Sequence, residues 1–458
     1  MVMLADPPPD AAVILRHAAR QVPRYTSYPT APHFHPGVGD AAYRAWLAAL
    51  PAEASLSLYL HVPFCDTLCW FCACHTKITR QYAPVAAYMG SLLAEAATVG
   101  ALVPPGARVR HMHWGGGSPT LLSPADMRRM GAVLRAAFRF ADDAEFAVEV
   151  DPRGLDRERV EALAGIGLSR VSLGVQDFDP AVQQAINRIQ SVEETAAAIA
   201  LFRAAGVRSL NIDALYGLPG QRRRQLLHTL AEVVRLGPDR IALFGYAHVP
   251  WMKTHQRLID ERALPGLVER HAHAAAAADF LVGEGYQRVG IDHFARPDDP
   301  LAVAARQGRL QRNFQGYTVD PADALIGLGA SAIGRLPQGY LQNETAIGRY
   351  RQRVDKGELA IARGLAFSPE DRLRGQAIER LMCDLSFSAD ALRREFGAAA
   401  EALAAEARAL VAADADGLVE ATADGFRVSE RGRPFLRTIA ARFDAYLGKG
   451  TARHSASV

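Results

Sequence analysis

The chain has 458 residues, 49% of them apolar and 22% charged, enough to build one large domain and a smaller one around a sizeable core. Its net charge of +3 is too near balance for a surface made to bind nucleic acid or anionic lipid. No apolar run approaches bilayer length, and residues 1–9 are Pro-rich without the apolar stretch of a secretory signal. The expected location is therefore the cytoplasm, where thiols stay reduced.

Residues 1–52 read as an N-terminal arm, irregular except for a short helix near Ala41–Leu50. Strand-like and helix-like segments then alternate. The strands are expected at Leu56–Val62, Val109–Trp114, Phe146–Val150, Val171–Val175, Ser209–Leu215 and Ile241–Tyr246. Ala/Leu-rich helices separate them, at Val85–Ala101, Pro124–Arg139, Glu193–Ala205 and Gln221–Leu236. Repeated strand–helix units predict an α/β fold with a parallel sheet and right-handed crossovers. Six units fall short of the eight of a closed barrel, so residues 53–362 are expected to form a partial (β/α)6 barrel. Residues 363–458 turn helical. Ala391–Phe396 and Ala398–Ala413 precede a strand pair, Gly417–Glu420 and Gly425–Ser429, and a last helix is expected over Pro434–Leu447. This winged-helix-like piece raises DNA binding as a reading. Residues 361–458 hold 14 Lys+Arg against 14 Asp+Glu, however, with no basic excess to neutralise phosphates, which favours a lid or packing domain.

Four of the five cysteines lie within ten residues, Cys65-Asp-Thr-Leu-Cys69-Trp-Phe-Cys72-Ala-Cys74, directly after the first strand. Disulfides are disfavoured for neighbours this close in a reducing compartment. Structural zinc needs two separated ligand pairs, and Cys383 stands alone far downstream in an amphipathic helix, as a small core residue does. The ferredoxin run has other intervals and supplies a thiolate to every iron. C-x3-C-x2-C instead offers three soft ligands from one loop, able to hold three corners of a cubane and leave one iron open. This spacing, with Phe71 beside Cys72, resembles the signature of the radical S-adenosylmethionine (SAM) enzymes.

Ligands of α/β barrels and open sheets bind where the strands end, and polar residues gather there. The second strand runs into Gly115-Gly116-Gly117-Ser118, and the third ends at Glu149-Val-Asp151-Pro152-Arg153. The fourth ends at Gly174-Val-Gln176, the fifth carries Asn211-Ile-Asp213, and the sixth ends at Tyr246-Ala247-His248. Singly, the glycines read equally well as a tight turn, Glu149, Gln176 and Asp213 as helix caps, and Arg188 as a surface charge. On successive strands facing one mouth, they read as donors and acceptors for a ligand rich in hydroxyl, amino and carboxylate groups. His61, His111, His113, His248 and His293 lack metal-ligand spacing and read as structural.

Longer blocks carry a narrower resemblance. Arg24-Tyr-Thr-Ser-Tyr-Pro-Thr-Ala31, Tyr59-Leu-His-Val-Pro-Phe-Cys65, the fourth cysteine Cys74, Gly174-Val-Gln-Asp-Phe178, Asn187-Arg188 and Asp213-Ala-Leu-Tyr-Gly-Leu-Pro219 form one set. Tyr246-Ala-His-Val-Pro250, Asp292-His-Phe-Ala-Arg-Pro-Asp-Asp299 and Arg312-Asn-Phe-Gln-Gly-Tyr-Thr318 complete it. Together they resemble the oxygen-independent coproporphyrinogen III oxidase (dehydrogenase) family, over residues from about 20 to 450.

The resemblance implies conversion of two propionates of coproporphyrinogen III to the vinyl groups of protoporphyrinogen IX, in haem biosynthesis. The attacked β-C–H bond is beyond any side-chain base at neutral pH, so a cofactor must supply the reactivity. The family implies a [4Fe–4S] cluster on Cys65, Cys69 and Cys72, with SAM on the open iron. Tyr59, Gly116, Glu149 and Arg188 match contacts to that SAM. Phe71, Gly117, Ser118, Gln176, Asp213, Ala247 and Ile333 match the surroundings of a second SAM. Cys74, with Tyr59, is expected at the reacting centre rather than as a ligand, because a fourth thiolate would exclude SAM. Arg24 and the arm tyrosines are expected to meet substrate carboxylates. An electron donor such as flavodoxin or ferredoxin is implied, and a monomer is the default. The rivals are a haem-carrying radical SAM paralogue, which generally lacks the Arg24–Pro29 arm and Cys74, and a haem-degrading radical SAM methyltransferase.

Overall fold

The computed structural model describes residues 10–449 and 453–456, so the reading of residues 1–9 lies outside the described residues. Twelve strands form its main sheet: β1 Ser55–Val62, β2 Arg108–Gly116, β3 Arg139–Val150, β4 Arg170–Gln176, β5 Ser209–Tyr216, β6 Arg240–Gly245, β7 Gln287–Val289, β8 His293–Ala295, β9 Ala324–Leu328, β10 Ile333–Leu336, β11 Gly339–Asn343 and β12 Ile361–Ala366. Their order across the sheet is β12-β11-β10-β9-β1-β2-β3-β4-β5-β6-β8-β7. Strands β1 to β6 run parallel, as the alternating strand and helix segments predict.

A seventh parallel strand, β9, pairs with β1 on its other side, and β10–β12 and β7–β8 extend the two ends antiparallel. These strands escape sequence reading because they are short and glycine-punctuated. Gly327 interrupts β9, where a side chain would meet the Ile333 carbonyl carbon at 2.7 Å.

Register decides what the sheet can do. On β1 to β6 the apolar residues alternate with polar ones, and one face carries Leu58, Trp114, Val148, Leu173, Ile212 and Ile241 into the main core. The opposite face carries Ser57, His111, Glu145, Arg170, Asn211 and Arg240 into an internal cavity of ≈ 280 Å³. Side chains alternate with period 2, so the pairing that buries the leucines also aims the charges inward. Charges there are matched: Arg170 meets Glu145 at 3.3 Å, and Arg240 meets Asp299 at 2.8 Å.

A second core joins the far end of the chain to the arm. Helices Pro369–Asp384, Ala389–Phe396 and Ala400–Ala412 pack with a three-stranded sheet of Ser386–Ser388, Val419–Thr422 and Gly425–Val428. Val13, Ile14, Val22, Tyr25 and Tyr28 of the arm are buried in the same core. The arm is thus more ordered than its composition predicts, with a helix over Ala11–Ala18 capped by the Asp10 side chain.

Two expectations are corrected. The helix expected over Pro434–Leu447 is only Leu436–Ala440, flanked by 3-10 turns Arg433–Phe435 and Ala441–Phe443. Tightening aligns residues three apart, and Phe443 stacks on Phe387 with ring centroids 5.2 Å apart. The arm tyrosines do not face the barrel cavity. Tyr25 donates to Asp444 at 2.9 Å, and the Tyr28 hydroxyl accepts from the Ala445 N–H at 3.0 Å, because burying both rings in the second core leaves their hydroxyls to be satisfied there.

Candidate active site

The cysteine loop leaves β1 through Pro63 and is closed at its base. Phe64–Cys65 pairs with Lys77–Ile78, with Lys77 N–H donating to the Pro63 carbonyl at 2.6 Å and Thr79 N–H to the Cys65 carbonyl at 2.9 Å. Two other segments pin its crown. Trp70 N–H donates to the Ile186 carbonyl at 2.9 Å, and Asn187 Nδ2 to the Leu68 carbonyl at 2.8 Å. Gln256 donates to the Phe71 carbonyl, His255 to that of Cys72 and Lys253 to that of Cys74, at 2.7–2.8 Å. Backbone carbonyls held by side chains in this way fix where the thiols stand.

The sulfur environment is cationic. Arg153 Nη2 and Arg188 Nη1 each approach Cys69 Sγ at 3.6 Å, and Asp151 bonds both guanidinium groups. Burial, followed by the neighbouring Cys72 and Cys69 thiols, pushes the Cys65 thiol up to about 12. Thiols ligate iron as thiolates, so a bound cluster would displace the Cys65 proton. Among the described residues no three Cys, His or carboxylate groups converge as a single metal ion needs. A cubane takes one thiolate per iron and needs no such convergence. The donor set and its flanking arginines fit a [4Fe–4S] cluster held by Cys65, Cys69 and Cys72.

The glycine turn after β2 sits directly beside the loop. Gly117 N–H donates to the Val62 carbonyl at 2.9 Å and Ser118 N–H to the Phe64 carbonyl at 2.7 Å. Gly116 has φ +110, and a side chain on it would strike the His61 ring at 2.5 Å. At Gly117 a Cβ would lie 2.4 Å from the Phe64 carbonyl oxygen. Glu149 braces the turn: its carboxylate accepts from Gly116 N–H and from His113 Nε2, both at 3.0 Å. Burial raises its pKa, but the His113 hydrogen bond and charge and the Gly116 N–H outweigh it, so Glu149 stays below the usual carboxylate range.

Tyr59 stacks on His113, with centroids 5.9 Å apart, and its hydroxyl meets His61 Nδ1 at 2.9 Å. His61 Nε2 donates to the His75 carbonyl, so Nδ1 is the acceptor and the phenol keeps its proton. Burial, then the Glu149 charge, raises the Tyr59 pKa well above a phenol's ordinary value. Asp213 bonds Ser172 and Asn211, and burial with the Glu149 charge lifts it to about 6.

Cys74, Glu149 and Asp213 all line the barrel cavity. Cys74 is solvent-exposed, with its N–H 3.4 Å from Cys72 Sγ, and the hydrogen bond between the two thiols pulls the Cys72 pKa down to about 7. Arg188 is 6% exposed, with its terminal nitrogens on Gly174, Asp151 and Cys69. Gln176 stands at φ +74 where the β4–β5 register shifts, and Ser118 bonds Thr120. Ala247 and Phe71 are tied together through Gln256. Ile333, half-buried, packs against the cluster of Phe34, Tyr340 and Leu365. From sequence, Asp151 and Arg153 carry no role beyond the polar end of the third strand, and His113 reads only as a structural histidine. The pattern Glu-x-Asp-Pro-Arg at a strand end, two alternate carboxylates followed by a guanidinium, carried the signal.

Residues 59–233 match the radical SAM superfamily and residues 367–435 the HemN C-terminal domain. This fold with its three-cysteine loop is that of a radical SAM enzyme, which works with a 4Fe–4S cluster and SAM. The chain is 47% identical over 448 residues to the oxygen-independent coproporphyrinogen III oxidase of Bradyrhizobium diazoefficiens, covering 98% of this chain and 100% of that protein. It is 50% identical over 442 residues to the enzyme of that name from Paracoccus denitrificans, covering 96% and 97%. The structure of Escherichia coli coproporphyrinogen III oxidase, a radical SAM enzyme, superposes with a TM-score of 0.88 at 39% identity, covering 93% of this chain and 100% of that one. The chain belongs to the oxygen-independent coproporphyrinogen III oxidase family.

Proposed function

We propose that this chain decarboxylates two propionate side chains of coproporphyrinogen III to vinyl groups without dioxygen, giving protoporphyrinogen IX for haem synthesis. The observation that carries this reading is full-length likeness to enzymes of that name, joined to a three-thiol loop at the mouth of a polar-lined half-barrel. When bound, the reduced cluster with SAM supplies the hydrogen-abstracting power that no side chain has.

The residues of the chain supply position. Cys65, Cys69 and Cys72 would hold the cluster. Glu149, Gly116, Tyr59 and Arg188 would orient the SAM on it. Phe71, Gly117, Ser118, Gln176, Asp213, Ala247 and Ile333 would frame a second one. Glu149 remains ionised and so can accept from an ammonium group, while Tyr59 stays a neutral phenol. Cys74 would act on the substrate side of the cavity. We divide the chain into an arm, 1–52, a catalytic domain, 53–362, and a C-terminal domain, 363–458, that closes against it.

A one-electron donor of the flavodoxin or ferredoxin kind would reduce the cluster, and the enzyme would work as a cytoplasmic monomer. Among the described residues no helix is long and apolar enough to cross a membrane. Anaerobic incubation of the reconstituted protein with SAM, reductant and coproporphyrinogen III should give the divinyl product, methionine and 5′-deoxyadenosine. A methylated tetrapyrrole, or haem bound and unchanged, would replace this reading with methyl transfer or haem carriage.

A further inference from the structure

The three most exposed large apolar side chains among the described residues are Met252, Ile189 and Leu258, at 65, 61 and 56%. Single exposed apolar residues are ordinary, but these three stand on segments that pin the crown of the cysteine loop. Ile189 lies two residues after Asn187, which holds the Leu68 carbonyl. Met252 precedes Lys253, which holds that of Cys74, and Leu258 lies two residues after Gln256, which holds that of Phe71. Between the segments, Trp70 and Phe71 are partly buried on a small core that takes Ile186 from one and Ile259 from the other. The three side chains therefore flank the crown's aromatic pair from both sides.

The rim of this patch is cationic. Arg257 stands beside Leu258, and Arg453 lies over the Trp251 ring at 3.9 Å, next to Met252. Gly220 N–H bonds the Ala263 carbonyl at 2.8 Å, which ties Arg222, Arg223 and Arg224 to the same rim at the start of helix Arg223–Arg235. The dipole of that helix disfavours cations at its start. These three arginines and Arg257 are exposed, and none forms an ion pair among the described residues. The carboxylates of the same segments are engaged elsewhere. Asp179 caps helix Pro180–Ala185, Asp260 pairs with Arg262 at 3.0 Å, and Glu261 bonds His248 at 2.9 Å. Asp66 of the loop is the exposed carboxylate that remains. An apolar centre with a largely unmatched cationic rim fits an acidic protein surface.

We propose that this face docks a small acidic one-electron carrier protein, with Ile189, Met252 and Leu258 at the centre and Arg257 and Arg222–Arg224 on the rim. This rests on the decarboxylase reading above, which needs a one-electron donor, and adds where that donor binds. Under that reading SAM and substrate occupy the cavity side of the loop, so a protein carrier must approach from outside it. The path is short. Ile189 follows Arg188, whose guanidinium stands 3.6 Å from Cys69 Sγ, so surface and thiol are one arginine side chain apart. In the docked pair the carrier's reduced flavin or iron–sulfur centre loses one electron and the cluster gains it, with no bond made or broken. Opposite charges raise the encounter rate and orient the partner, and the apolar centre excludes water from the contact.

The test uses the reconstituted, cluster-loaded full chain and its L258E, R257E and R257K variants, with a bacterial flavodoxin and a bacterial ferredoxin as carriers. Carrier binding is measured by calorimetry, and divinyl product is measured with reduced carrier and, separately, with dithionite. L258E and R257E should each weaken binding and lower carrier-driven turnover by about fivefold or more. Dithionite-driven turnover, iron content and SAM affinity should stay parental. R257K should keep most of the affinity, and parental binding should weaken as salt is raised. L258E and R257E that keep Kd and carrier-driven turnover within about twofold of the parent, or a parent that binds neither carrier at low salt, overturn the docking face and leave the decarboxylase reading intact. A parent that takes electrons from a carrier through this face but makes no divinyl product with either reductant overturns that reading and leaves the face standing.

Discussion

Arg188 Nη1 reaches Cys69 Sγ at 3.6 Å across 119 positions of sequence, while the same guanidinium bonds Asp151 at 3.2 Å and the Gly174 carbonyl at 2.6 Å. A thiol proposed to hold the cluster is thereby tied to β4 and to the end of β3. An N–H and a positive charge on a thiolate favour the more electron-rich state of the iron it ligates. R188Q should therefore assemble its cluster at parental iron content but with a reduction potential lower by on the order of 50 mV, read by EPR-monitored titration. An unchanged potential would mean that Arg188 acts only as a strut.

The four loop cysteines should divide sharply. C65A, C69A and C72A remove the three thiols of the C-x3-C-x2-C run, and each should lose the 4Fe–4S spectrum and all SAM cleavage. Cys74 is exposed and lines the cavity, so C74S should keep the cluster and the SAM-induced EPR change while losing at least about a hundredfold in divinyl product. Loss of the cluster in C74S would make Cys74 a ligand and close the corner that SAM needs.

The strand ends were readable from sequence because physics repeats there. Leu56–Val62 alternates, and the period-2 rule that makes it a strand also places Tyr59 and His61 on the cavity face with Ser57. The thiol spacing, Gly116–Gly117 and Glu149 declare themselves by residue type. What stayed hidden is what depends on distant segments meeting. Arg188 reads alone as a surface charge and Arg153 only as part of a strand end, and only folding brings both guanidinium groups to Cys69 Sγ. The Tyr25 and Tyr28 rings look like cavity residues by family position, yet the second core takes both. Strand β9 is five residues with a glycine inside, too short for a periodic signal.

Gly117 gives a prediction that separates backbone fit from chemistry. An added methyl would sit 2.4 Å from the Phe64 carbonyl oxygen, so either the turn or the base of the cysteine loop must move. G117A should lower the apparent affinity for SAM by roughly tenfold, since displacements near 1 Å at positioning groups are felt strongly. Iron content should fall less than in C65A. Parental SAM affinity in G117A would show that the turn has slack that its contacts do not suggest.

Glu95 tests the fold itself by pH. It is 3% exposed on helix Ala83–Gly100 and accepts from Gly329 N–H, Asn343 Nδ2 and Tyr350 Oη, each at 2.6 Å, which ties the helix to the turn after β9 and to the end of β11. Burial outweighs these donors and lifts its pKa from 4.5 to about 7. A carboxyl whose folded pKa is raised stabilises fully below its unfolded pKa, and that contribution is lost as pH rises through the folded value. The window is thus between about 4.5 and 7. E95Q does not ionise and offers one acceptor oxygen where two serve, so it should be less stable than the parent at pH 5. The parent's advantage should then shrink by up to roughly 3 kcal/mol at pH 8, measured by denaturant unfolding of both proteins side by side. Asp177 and Asp213, each also raised to about 6, are common to both proteins and cancel in the difference. An advantage that stays constant from pH 5 to 8 would mean that Glu95 carries no proton at neutral pH, and that its three donors, rather than burial, set its charge.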